Sequence, residues 1–388
     1  MSGIVLSAAV RQNLLSLQNT AELLSSTQNR LASGKKVNTA LDNPTNFFTA
    51  QGLDNRASDI NNLLDGIGNG VQVLQAANTG LTSLQQLVDT AKSIANQVLQ
   101  TTTGYTSKST ATSTTLTAGS TSSNLVDGTS IKSGEVLSIA ATGGGTATAF
   151  TFGATTSLAT LNTALAANNL TASLDSSNEL VLTTTNDVAS STVGAITLSG
   201  TTGSATFGAG TAPVPDANSQ ATRASLVSQY NNIITQITTT SQDASFNGIN
   251  LLNGDDLKLT FNETGKSTLT VSGVTYDAAG LGLSTLTAGT AFLDNSSANA
   301  VIAKVTAASD QLRSEASALG SNLSIVQIRQ NFAKNLINVL QTGSANLTLA
   351  DTNEEAANSQ ALSTRQSIAV SALALSNQSQ QSVLQLLR

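Results

Sequence analysis

The chain has 388 residues, a net charge of −6 at neutral pH, 10% charged and 3% aromatic residues, and neither Cys nor His. The acidic balance excludes a basic footprint for nucleic acid. The missing Cys excludes disulfides and thiolate metal sites, and the missing His removes the commonest general base and metal ligand. Ordinary soluble proteins carry about 25% charged residues, so this surface is weakly charged, which lowers the cost of packing against further copies.

The first residues, MSGIVLSAAVRQ, hold a short apolar patch with no positive region before it, and Arg11 ends it. That pattern is not a secretory signal peptide. No apolar run approaches the ~18 residues of a membrane helix. The expectation is a cytoplasmic protein, or one exported by a route that reads no such signal. Val10, Leu14, Leu17, Ala21, Leu24, Gln28 and Leu31 then alternate in steps of four and three. This is a heptad seam and predicts a helix ending near Gly34, with Lys35 and Lys36 placed to favour its C-terminus.

A second seam runs Leu53, Ala57, Ile60, Leu64, Ile67, Val71, Leu74, Asn78 and Leu81, then shifts to Leu84, Leu87, Ala91, Ile94 and Val98. It predicts one helix over about 45–100, ~80 Å long. Asp42 or Asn43 would cap it, with Pro44 as its first helical residue.

Residues 101–215 are dense in Thr, Ser, Ala and Gly and hold seven charged residues. Leu137 with Ile139, Phe150 with Phe152, and Leu180 with Leu182 alternate as strands, and SLATLNTALAANN (157–169) predicts a short helix capped by Ser157. This reads as an inserted β-rich outer domain containing a helix. Residues 216–243 return to helix, with Leu226, Tyr230, Ile233 and Ile237 on one side. LKLTF (257–261) and LTVSGVTY (269–276) predict a β-hairpin.

Leu312, Ala316, Leu319, Leu323, Val326, Gln330, Ala333, Ile337 and Leu340 form a further heptad seam, and Ile325, Ile328, Phe332, Leu336 and Val339 a second face. A helix apolar on two faces needs two partners. The last predicted helix covers about Thr352 to Leu387, and its Ile368, Val370, Leu373, Leu375, Val383, Leu384, Leu386 and Leu387 go most of the way round. The three prolines, Pro44, Pro213 and Pro215, all fall on boundaries drawn from periodicity. Proline is excluded from helix interiors, so they support those boundaries independently.

No catalytic constellation, cofactor site or metal site is expected. Gly265-Lys266-Ser267 ends like a phosphate-binding loop, but Thr260 stands where its earlier glycine belongs, and the stretch sits in a hairpin turn. Asp255-Asp256 and Glu354-Glu355 are adjacent pairs that read as solvated positions rather than metal ligands. The two terminal helices have too little partner surface in one chain to offset the ordering entropy of ~1.5 kcal/mol per residue. The expectation is that both termini are disordered in the monomer and fold on assembly.

NRLASGKKVNTALDNPTNFFTAQGL (29–53), ASFNGINLLNG (244–254) and NQSQQSVLQLLR (377–388) together resemble, in order, three motifs of the bacterial flagellins. The resemblance spans nearly the whole chain outside 101–215. It implies a mainly α fold: a long helical coiled-coil and bundle core built from both chain ends, a β-hairpin and an inserted β-rich outer domain. In that arrangement residues 1–43 and 349–388 form the terminal layer lining a filament channel. Residues 44–100 and 216–348 form the bundle, with the hairpin at about 246–285, and 101–215 project outward. The implied function is the self-assembling subunit of the flagellar filament, a structural protein of swimming motility rather than an enzyme. A hook-filament junction protein is the alternative, and a secreted adhesin or enzyme with flagellin-like ends a third reading.

The implied partners are further copies or sister flagellins, a flagellar export chaperone, the type III export apparatus, and junction and cap proteins. Neither nucleic acid nor membrane insertion is implied. Val10, Leu14, Leu17, Leu24, Leu31, Val37, Phe47, Phe48, Ile368, Leu373, Leu375, Val383, Leu384, Leu386 and Leu387 are the expected subunit-packing residues. Many flagellins carry an arginine-x-arginine-glutamate cluster that a Toll-like receptor reads. Thr90, Lys92 and Ser93 stand at the aligned positions here, so the resemblance implies weak or absent receptor activation. Two departures stand out: Asn43-Pro44-Thr45 replaces the family's alanine-glycine, and the insertion precedes the helix at 216–243 rather than following the hairpin.

Overall fold

In the computed structural model, residues 8–117, 119–200 and 203–386 are described. Helix α1 (Ala8–Ser33) leads to the long α2 (Pro44–Gln100). Eight short strands follow, interrupted by one helix: β1 (Tyr105–Ser107), β2 (Thr110–Thr112), β3 (Val136–Ile139), β4 (Thr148–Thr151), α3 (Leu158–Leu165), β5 (Leu170–Leu174), β6 (Leu180–Thr184), β7 (Ile196–Ser199) and β8 (Val214–Pro215). Then come α4 (Ala217–Asp243), the hairpin strands β9 (Leu257–Thr260) and β10 (Thr268–Val271), α5 (Asn295–Thr348) and α6 (Thr352–Leu386). This is the mainly α fold with a β-rich insertion that the sequence predicts. No helix among the described residues is long and apolar enough to cross a membrane.

The helix ends follow from their caps. Gly34 takes φ +68° after α1, a left-handed position that glycine fills without strain. The Asn43 side chain accepts from the Asn46 amide at 3.0 Å, so Asn43 caps α2. The Ser157 side chain caps α3 by accepting from the Thr160 amide, and Asp216 caps α4 through the Ser219 amide.

The chain divides into two compact units. The first comprises residues 1–70, 258–269 and 325–388. Its core is Ala57, Ile60, Ala333, Ile337 and Leu340, with Leu53, Leu64 and Leu336 packed against it. Here α1 lies along α6, and the α1–α2 connection is tied to the α5–α6 connection. The Lys36 amide donates to the Thr348 carbonyl at 2.8 Å and the Ala350 amide to the Gly34 carbonyl at 3.0 Å. Arg30 pairs with Glu355 at 3.5 Å.

The second unit comprises residues 71–257 and 270–324. Its insertion has two three-stranded sheets, ordered β2-β6-β5 and β4-β3-β7, with each neighbouring pair antiparallel. They enclose Leu125, Ile131, Leu137, Ile139, Phe152, Leu161, Leu165, Leu180 and Leu182. Where the insertion leaves and rejoins the helices, β1 pairs with β8. Arg223 of α4 is buried there and donates to four carbonyls: Thr102 at 2.8 Å, Phe292 at 2.6 Å, and Val98 and Thr101 at 3.2 Å. Only Val98 lies in α2; Thr101, Thr102 and Phe292 are loop carbonyls, and a cation is a strong donor to such acceptors.

The sequence predicts the second hairpin strand through Tyr276, but β10 ends at Val271. The Val274 and Tyr276 amides instead donate to the Leu251 and Leu252 carbonyls, both at 2.9 Å. Asn250 holds that loop: its side-chain amide donates to the Ser241 and Gln242 carbonyls at the end of α4, and its oxygen accepts from the Leu252 amide.

Candidate functional site

The first unit leaves an unusual amount of apolar surface open. Among the described residues, every exposed large apolar side chain except Val214, Phe246 and Val274 belongs to it. Large exposed apolar patches mark interaction sites on soluble proteins, and the concentration of these residues on one unit makes it the candidate interaction surface.

That surface is built from three helices and the connection between α1 and α2. On α5 four of the five residues of the predicted second face, Ile325, Ile328, Phe332 and Val339, are exposed, whereas the fifth, Leu336, is half-buried against the core; the seam residues Val326, Ala333, Ile337 and Leu340 are buried. The helix therefore satisfies one apolar stripe within the chain and presents the other. On α1, Leu14, Leu15, Leu23 and Leu31 are exposed. On α6, Ile368, Val370 and Leu375 are exposed.

The connection between α1 and α2 completes the surface. The Asp42 carboxylate accepts from the Asn38 amide at 2.9 Å, the Thr39 amide at 2.8 Å and the Thr39 hydroxyl at 3.2 Å. These bonds, the Thr39 amide first, hold its pKa below the ordinary carboxylate range. They also fold the turn so that Leu41 points outward, 95% exposed. Phe47 and Phe48 follow, edge to face with ring centroids 5.5 Å apart, and Phe48 is exposed.

The sequence-predicted packing residues divide accordingly. Leu14, Leu31, Phe48, Ile368 and Leu375 are exposed, and Leu17, Leu24, Phe47 and Leu373 are half-buried. Val10 and Val37 are buried within the chain itself. Leu387 and the side chains of Val383, Leu384 and Leu386 lie outside the described residues. Sequence reasoning missed Leu15, Leu23, Leu41 and Leu349, all exposed. Leu15 and Leu23 lie off the heptad seam, which was the available signal: apolar residues outside an already complete seam need a further partner.

At the receptor-aligned positions of α2, Thr90 and Ser93 are exposed and Lys92 is half-buried. The Thr90 hydroxyl donates back to the Gln86 carbonyl at 2.8 Å. No group of three or more acidic residues that could hold a metal ion occurs among the described residues.

Comparison with known proteins places the two ends of the chain. Residues 5–123 match the family model "Bacterial flagellin N-terminal helical region" and residues 302–387 match "Bacterial flagellin C-terminal helical region", together just over half of the chain. Flagellin FljM and Flagellin FljK of Caulobacter vibrioides are each 33% identical over 165 residues, 42% of this chain and 59% of the relative. Flagellin A of Rhizobium meliloti is 37% identical over 90 residues, 23% of each chain. The matched stretch thus spans about three-fifths of the length of the Caulobacter relatives. With both terminal regions matched in order and apolar surface concentrated on the unit they build, the chain belongs to the bacterial flagellin family.

Proposed function

We propose that this chain is the structural subunit of an extracellular flagellar filament, polymerising through its terminal unit and contributing to motility without catalysis. The observation that carries the reading is the apolar face of α5 at Ile325, Ile328, Phe332 and Val339, exposed beside a seam that is already filled. A face of this kind, on a unit that also exposes apolar residues of α1 and α6, is covered by copies of the same chain. In that polymer residues 1–43 and 349–388 form the inner layer lining a channel. Residues 44–100 and 216–348 form the surrounding shell, and 101–215 project outward. The chain leaves the cell through the type III export apparatus, with a chaperone on its C-terminal helix, and meets junction and cap proteins at the filament ends.

Electron microscopy after salting-out tests this, comparing the full chain with residues 44–348. Long filaments from the full chain and none from the shortened one support the reading. Failure of both to polymerise without a seed favours a hook-filament junction role.

A further inference from the structure

Within the first unit, α2, α5 and the hairpin loop enclose a cavity of about 250 Å³. Its apolar wall is Ile60, Phe261, Phe332, Ala333 and Leu336. Phe332 remains 58% exposed at its mouth. An engineered cavity of ~150 Å³ already holds a benzene-sized group, so one leucine side chain fits here. Arg329, another lining residue, lies over the Phe261 ring at 5.8 Å. It makes no ion pair among the described residues, whereas the nearby Arg56 is paired with Glu263 at 2.7 Å. The mouth therefore carries one uncompensated cation beside aromatic surface, the composition of an interface anchor point.

We propose that the turn at Leu41 and Asp42 of one copy docks into this cavity on a second copy. Leu41 fills the apolar wall, and the Asp42 carboxylate faces Arg329. The proposal deepens the filament reading and rests on it.

Three observations select this occupant. Leu41 is the most exposed large apolar side chain described, and its turn is locked by hydrogen bonds to Asp42, so little ordering entropy remains to be lost on docking. The residue beside it is anionic and the cavity mouth is cationic, so the charges match. Finally, the chain cannot fill its own cavity. Leu41 precedes α2, whose first residue is Pro44, and the cavity lies at Ile60, roughly 24 Å further along that helix. The tie of Lys36 to Thr348 gives a similar offset along α5, roughly 22 Å from Ala333. A projection and a recess at different places on the same unit make a head-to-tail contact, the kind that repeats into an open helical polymer when its rotation does not close a ring.

The chain has no cysteine, so single cysteines introduced for cross-linking are unique. Full-length Leu41→Cys and Phe332→Cys chains are mixed, salted out into filaments and treated with a short bis-maleimide. Covalent pairs containing one chain of each kind are expected in filaments and not in the dilute mixture. Separately, L41A is expected to raise the concentration needed for polymerisation about tenfold or more, while the circular dichroism of the monomer stays unchanged. Filaments that form but give no cross-link, or L41A chains that polymerise like the parent, overturn the docking and leave the filament reading standing. A parent chain that never polymerises removes both.

Discussion

Replacing Arg223 with methionine tests how the insertion is anchored. The side chain is 1% exposed and its guanidinium donates to four backbone carbonyls drawn from three places: the end of α2, the strand side of that end, and the residue before Leu293. Burial pulls its pKa below the ordinary arginine value and Asp294 opposes the shift. Arginine stays protonated throughout, so the cation is permanent. Methionine keeps the apolar stem and removes every donor. Hydrogen bonds to charged groups contribute about 1.5–3 kcal/mol each and are not additive, so losing all four with one guanidinium should cost about 3–5 kcal/mol. That range corresponds to about two to three and a half powers of ten in an opening equilibrium. Hydrogen exchange read by mass spectrometry should therefore accelerate by about a hundredfold to a few thousandfold in peptides from the end of α2, the start of α4 and residues 290–294. Peptides of α1 and α6 should be unaffected. Lysine should rescue only part of the loss, because one ammonium cannot span four carbonyls. Unchanged exchange in R223M, or acceleration spread evenly over both units, would refute the anchoring role.

Three further outcomes are expected. Burial pushes the Asp127 carboxyl up, but donation from the Thr129 and Ile131 amides, the Ser130 group and Thr117 outweighs it and holds its pKa far below the ordinary range. A depressed folded-state pKa stabilises above the unfolded value and is lost as pH falls toward the folded one. D127N should therefore lower the urea midpoint of the insertion at neutral pH, with the gap from the parent closing in strong acid. At Gly273 an added Cβ would strike the Asp255 backbone, so G273A should destabilise the loop–hairpin junction by about 1–3 kcal/mol, read from thermal unfolding. Reporter cells carrying the flagellin-sensing Toll-like receptor should respond weakly or not at all, because Thr90 and Ser93 lack the charges and Lys92 lacks the planar fork of the family's cluster; a response equal to that of an enterobacterial flagellin would contradict this.

The helices were legible because their ends carry chemical stops. Gly34, Pro44, Ser157 and Asp216 each mark an end that follows from a local rule about φ, a missing N–H or a capping oxygen. The two faces of α5 were equally legible, since a 3.6-residue period states which positions share a side. What the sequence hid are partnerships between distant segments. The alternation of LTVSGVTY reads as one strand, yet residues 274–276 bond to residues 251–252 rather than continuing the β10 ladder. Arg223 reads as an ordinary charged residue on a surface helix, and its acceptors near residue 100 lie more than a hundred positions away. Leu41 reads as a loop residue; its exposure depends on how Asp42 bonds the Asn38 and Thr39 amides.

The distribution of burial carries a consequence for the free chain. In α1, 26 residues long, only Val10 and Thr27 are buried, and in α6 only Glu355 is buried among the residues described. One valine contributes about 2 kcal/mol of burial, and the part-buried pair of Arg30 with Glu355, at 3.5 Å, about 1 kcal/mol. Ordering each residue costs about 1.5 kcal/mol, so helix α1 is not held by its contacts within one chain. The insertion is the opposite case, with Leu125, Ile131, Leu137, Leu161, Leu165, Leu180 and Leu182 fully buried. Stability in the monomer must then reside outside α1 and α6, in the insertion and in the core of α2 against α5, while α1 and α6 order only when copies cover their apolar sides. Amides of residues 8–33 and 352–386 should exchange within seconds in a dilute monomer and become strongly protected in the polymer, while the insertion core is protected in both. Sharp, slowly exchanging amide signals from α1 in the monomer would refute this, because the helix would then owe its order to contacts within a single chain.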